Sequence, residues 1–137
     1  DRNMLHICMP KVFRLSEQYL IRAEARANQK NYSGASKDLS DLRRARFQGG
    51  NGSISVSEQN WLEIIEEERV RELYMEGFRL QDLKRWHKGF ERKPQEQSLT
   101  NGSSLKIEAD DVRFVWPIPK HELESPGSQI QPNESNK

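Results

Sequence analysis

The sequence predicts an all-α protein, built of helical hairpins and closed by an irregular, proline-containing C-terminal segment. Three observations predict it. Apolar residues recur at helical spacing through residues 14–86. Glycines punctuate the ends of these periodic stretches. The apolar run at residues 112–119 carries Pro117 and Pro119, which suit extended chain and not a ladder strand.

Residues 1–13 read as a lead-in, with Pro10 biasing the chain before it away from helix. A first helix over residues 14–27 places Tyr19, Leu20, Ala23 and Ala27 on one stripe. The turn at residues 30–34 offers Asn31 or Ser33 as a cap for the next helix. That helix carries Ala35, Leu39 and Leu42, and stops at Gly49-Gly50-Asn51-Gly52. So short a join forces the two helices antiparallel, and the small Ala23, Ala27 and Ala35 let their axes approach closely. The pattern resembles a single tetratricopeptide repeat. Such repeats bury their faces against neighbours, and no second copy is present, so the chain is expected to be a piece of something larger.

A third helix has a capping box in Ser55 and Glu58, with Ser57 as an alternative cap. It runs through Trp61, Leu62, Ile64 and Ile65 to Met75, with Gly77 as its C-terminal stop. A fourth, over residues 78–86, sets Leu80, Leu83 and Trp86 on one face and Arg79, Asp82 and Arg85 on another. Residues 88–111 form a polar loop, where Asn101-Gly102 predicts a brief hairpin with Leu105 and Ile107. In residues 112–119, Trp116 and Ile118 are expected to plug an apolar gap between helices. The domain reading is therefore a lead-in (1–13), a helical region (14–123) and a polar tail (124–137).

The 22 Lys and Arg against 21 Asp and Glu leave a formal charge of +1, so no basic excess draws nucleic acid. Arg43, Arg44 and Arg46 cluster, but Asp38 and Asp41 one turn earlier offset them. Cys8 is the only cysteine, which excludes an internal disulfide. No apolar run approaches the ~20 residues of a membrane helix, and no signal peptide is recognisable.

Glu63, Glu66, Glu67, Glu68, Glu72 and Glu76 are the first candidates for acid chemistry, and Glu68, Glu72 and Glu76 stack at four-residue spacing. Carboxylate metal sites in bundles add a Glu-x-x-His pair, and none of His6, His87 or His121 completes one. Arg69, Arg71 and Arg79 lie within a turn of the acids, which predicts an ion-paired face. Glu72, Glu76, Arg79, Asp82 and Arg85 are expected to pin the third helix to the fourth. Cys8 and His6 sit in the lead-in with nothing to lower the thiol pKa. The glycines at 49–52 follow a helix and do not open one, so they are no phosphate cradle. Trp61, Trp86 and Trp116 each sit in an apolar pattern and are expected in the core. No catalytic residue, metal ligand or cofactor is predicted, and the protein reads as no enzyme.

The order of motifs is more specific than any one of them. Residues 14–25 match an Arg-Leu-x-Glu-x-Tyr-Leu-Ile-x-Ala-Glu-Ala helix, and Glu68-Arg69-Val70-Arg71-Glu72-Leu73 a Glu-Arg-x-x-Glu-Leu stretch. There follow Glu76-Gly77-Phe78-Arg79, then Asp82-Leu83-Lys84-Arg85-Trp86, and finally Trp116-Pro117-Ile118-Pro119 with Glu122-Leu123. In this the chain resembles the C-terminal region of the SusD/RagB family, across about residues 14–123. It departs at the end, where Gln131-Pro132-Asn133 stands in place of the family's Gln-Asn-Pro-Gly-Tyr-like close. The resemblance implies tetratricopeptide-like scaffolding in a lipid-anchored outer-membrane protein. Such a protein binds glycans or other nutrients and hands them to a TonB-dependent, SusC-like transporter. The glycan-stacking aromatics of relatives lie mainly before this region, so no ligand-binding residue carries over. The alternative reading is a tetratricopeptide-like protein–protein interaction module, for which only the first hairpin speaks.

Overall fold

The computed structural model describes residues 13–47, 49, 52–93 and 105–136. The lead-in residues 1–12, with His6 and Cys8, and the Asn101-Gly102 turn lie outside the described residues. The chain divides into two compact units, Asp1–Glu76 and Gly77–Lys137. The described residues are mostly helical with a single two-stranded sheet, so the class is all-α.

In the first unit α1 (Leu15–Asn28) and α2 (Tyr32–Arg46) form an antiparallel hairpin, and α3 (Trp61–Glu72) packs on α1. α1 buries Ser16, Leu20, Ala23 and Ala27, a stripe stepping by three or four residues, as helical periodicity requires. α2 buries Ala35, Asp38, Leu39, Ser40 and Leu42. Lys30 takes a left-handed backbone at φ 62°, and the N–H groups of Lys30 and Asn31 donate to the carbonyls of Ala27 and Arg26, closing α1. Asn31 then caps α2: its Oδ1 accepts the Gly34 N–H at 3.0 Å. A Cβ on Gly34 would lie 2.8 Å from the Asn31 amide, so a side chain there collides with the cap. Asn31→Ala is expected to cost about 1 kcal/mol of stability, read as a lowered melting temperature in circular dichroism.

Residues 52–57 run extended beside α2, and two of its serines hold them there. The Ser40 hydroxyl accepts the Ile54 N–H at 2.9 Å and the Ser36 hydroxyl accepts that of Val56 at 2.9 Å, so Ile54 and Val56 enter the core without orphaned amides. α3 begins later than the capping box predicts. Residues 58–60 make a turn, and Asn60 Oδ1 reaches back to accept the Ser57 N–H at 2.7 Å. The helix also ends at Glu72, with Met75 (φ 64°) and Gly77 (φ 83°) in left-handed conformations beyond it. Trp61 is half-buried; Ile65 is the fully buried residue of α3.

The second unit opens with α4 (Arg79–Arg85), which buries Asp82 and Leu83 and leaves Leu80 exposed. β1 (Phe90–Glu91) and β2 (Lys106–Ile107) pair antiparallel, Phe90 opposite Ile107. Val112–Phe114 is a 3-10 turn and buries Phe114. α5 (Lys120–Leu123) and a second 3-10 turn (Glu134–Asn136) complete the unit.

The expectation for Trp116 is overturned: it is 81% exposed. The 3-10 turn gives the inward position of this segment to Phe114 instead. What holds residues 116–118 is backbone hydrogen bonding to the tail. Asn133 Nδ2 donates to the Trp116 carbonyl at 3.0 Å, Ile118 N–H to Asn136 Oδ1 at 3.0 Å, and Asn136 Nδ2 to the Ile118 carbonyl at 2.8 Å.

Candidate functional site

The carboxylates of the third helix lie on a ladder of arginines. Glu68, 6% exposed at its side chain, accepts from Arg43 of α2 at 2.6 Å and from Arg71 at 2.5 Å. One turn on, Glu72 accepts from Arg46 at 2.6 and 2.9 Å and from Arg14 at 3.1 Å. Arg14 also donates to the Glu72 carbonyl at 2.7 Å and to Glu76 at 2.6 Å. An ion-paired face was the sequence expectation, with partners from residues 69–79. Arg71 fits it, whereas Arg14, Arg43 and Arg46 come from the hairpin. The hairpin has its own node. Asp38, 1% exposed, accepts from Arg22 at 2.7 and 3.0 Å and from Arg26 at 2.8 Å, tying α2 to α1. Asp38 therefore does not offset the Arg43–Arg46 cluster; Asp41 does in part, pairing with Arg44 and Lys37 at the surface.

Asp38 and Glu72 have both carboxylate oxygens engaged by guanidinium groups, which is the arrangement of a fixed joint. Among the described residues no group of three or more His, Cys, Asp or Glu is placed to hold a metal ion. The Arg46 guanidinium holds the Glu72 carboxyl below its ordinary value, against the opposing pull of partial burial. A carboxylate with a depressed native pKa stabilises the fold above its unfolded pKa, and that stability is lost as pH falls through the native value. The unfolding free energy should thus decline from near the ordinary 4.5 downward, with Glu72→Gln flattening the decline. A pH series of urea titrations checks this.

Of the remaining residues singled out by sequence, Asp82 pairs with Arg85 at 2.9 Å, and the Arg85 guanidinium lies 4.2 Å from the centre of the Trp86 ring. Trp86 is half-buried, Pro117 and Pro119 are exposed, and Gly77 supplies the left-handed turn after Glu76. In the second unit Asp111 closes on Arg113 at 2.7 and 2.8 Å, and this pair holds the Asp111 carboxyl at about 2. Beside α1, an open hollow of about 280 Å³ is bordered by Leu15, Tyr19, Leu42 and Ala45, with Leu15 74% exposed.

The SusD family model matches residues 7–134. The chain belongs to the SusD family. The matched span contains all four sequence blocks, from the Arg14 helix to the Trp-Pro-Ile-Pro segment. No curated protein and no solved structure matches the chain. SusD family membership carries glycan or nutrient binding, and the family is one of binding proteins and not of enzymes. Among the described residues no helix is long and apolar enough to cross a membrane.

Proposed function

We propose that this chain is the C-terminal scaffold of a lipid-anchored, outer-membrane SusD protein that passes oligosaccharides to a TonB-dependent, SusC-like transporter. The observation that carries the reading is the family match over residues 7–134, with its blocks in family order. The geometry supports a scaffold: the α1–α2 hairpin serves as one tetratricopeptide-like unit, and the arginine ladder fixes α3 on it. Tight sugar recognition needs aromatic platforms beside convergent hydrogen-bond donors on a preformed surface. In the first unit Asp38, Glu68 and Glu72 and their arginines are spent on each other. The micromolar site accordingly belongs to preceding chain.

Isothermal titration with plant, host and microbial oligosaccharides tests this. The complete gene product should bind at least one of them at micromolar affinity or better, about 8 kcal/mol. Residues 1–137 alone should not reach that range with any. Micromolar binding by the short chain would place the site here and overturn the scaffold role. A complete gene product that binds no saccharide would overturn the glycan reading itself.

A further inference from the structure

The turn that ends α4 and the turn that follows β2 are tied by a side-chain bond: His87 Nδ1 lies 2.8 Å from Asp110 Oδ1. We propose that this pair is a pH-dependent clasp on the β1–β2 ribbon, closed in mildly acid surroundings and loosened as the imidazole loses its charge. Nothing in it depends on a ligand, so it stands apart from the glycan reading.

The backbone brings the two residues together. At the end of α4 the Lys88 N–H donates to the Leu83 carbonyl at 2.9 Å and the His87 N–H to that of Lys84 at 3.2 Å, with His87 left-handed at φ 52°. Asp110 is left-handed too, at φ 57°, between β2 and the 3-10 turn at Val112–Phe114. Histidine and aspartate are among the few side-chain-bearing residues that take this conformation readily. Next to His87, the chain is in backbone contact with the end of β2. A Cβ on Gly89 would collide with the Ile107 carbonyl oxygen and lie 2.8 Å from the Glu108 carbonyl carbon. Beyond Gly89 the ribbon begins, Phe90 facing Ile107 and the Arg92 N–H donating to the Leu105 carbonyl at 2.9 Å. The clasp therefore sits at the base of the ribbon, outside its ladder.

Charge sets its strength. The charged groups on the elements that meet here are Lys84 and Arg85 of α4, Lys88, Lys106, Glu108 and Asp111. Arg85 pairs with Asp82, Lys106 with Glu108 and Asp111 with Arg113, while Asp110 is the acid joined to the imidazole. A carboxylate accepts more strongly from an imidazolium than from a neutral ring. Imidazole is also the side chain that changes charge between about pH 5 and 8. The protonated ring gains its partner only in the closed form, so the contribution is present below the imidazole range and fades as pH rises through it. It is lost again in strong acid, where the carboxylate takes up a proton. Both side chains are exposed and exchange protons directly with solvent.

The test is amide hydrogen exchange of the whole chain, followed by NMR at the Lys88 and Arg92 N–H groups and corrected for the intrinsic effect of pH. Their protection should be about threefold higher at about pH 5.5 than at about pH 8, the scale of an exposed ion pair. His87→Asn and Asp110→Asn each keep a residue that accepts left-handed backbone, and each should erase the rise with unchanged circular dichroism. His121→Asn removes an exposed histidine whose acid is its neighbour Glu122, and should leave the rise intact. Protection that does not vary with pH in the parent would overturn the clasp. So would a rise that survives in either clasp variant, or one that His121→Asn abolishes.

Discussion

Replacing Asp38 with alanine lowers the unfolding free energy of the helical unit by about 3 kcal/mol, the expected cost of breaking a buried ion pair from one side. Both carboxylate oxygens are occupied, by Arg22 through two bonds and by Arg26 through one, and the side chain is 1% exposed. Without it, two guanidinium groups on neighbouring turns of α1 face each other across a small void. They keep access to water, at 52% and 33% exposure, which holds the loss near the lower end of the range for buried pairs. For a domain of this size the midpoint should fall by on the order of 15 °C. Asp41→Ala, three residues on, is the control: its partners Lys37 and Arg44 are exposed, and its melting curve should overlie the parent's. Two variants that melt alike would show that Asp38 is no deeper than Asp41.

Leu39→Ala should cost a similar amount, about 3 kcal/mol, for a different reason. Leu39 is fully buried with Leu20 and Ile65 in the same unit, one residue from each of its three helices. Truncation gives up the transfer free energy of the lost carbons and leaves a cavity that close-packed helices fill only in part. Ile65→Ala should fall in the same range. Leu15→Ala sits on the same hairpin but at 74% exposure, and should leave the urea midpoint unmoved. Equal losses at Leu15 and Leu39 would contradict the assignment of the buried face.

These contrasts mark where the sequence was legible. The α1–α2 hairpin could be read because its determinants are local: a stripe at helical spacing, a short turn and Asn31 within reach of the Gly34 N–H. The ladder partners could not. Arg43 and Glu68 are 25 residues apart and Arg14 and Glu72 are 58, and nothing in helical periodicity says which arginine faces which acid across a packed interface. The serine lacing of residues 54–56 was hidden likewise, since Ser36 and Ser40 read as ordinary polar positions of a helix. Trp116 shows the opposite failure. Composition places a tryptophan between apolar neighbours inside, but a 3-10 turn and two asparagines of the tail decide which way this one points. The four blocks were legible as a family signature, and the family match covers them.

Co-purification tests the central functional claim most directly. The complete gene product, tagged and made in its own cells, should be enriched in outer-membrane fractions and bring down a TonB-dependent transporter in near-equal amount. The same tagged protein, recovered intact from the outer membrane without any such transporter, or recovered from the cytosol bound to other proteins, would contradict it.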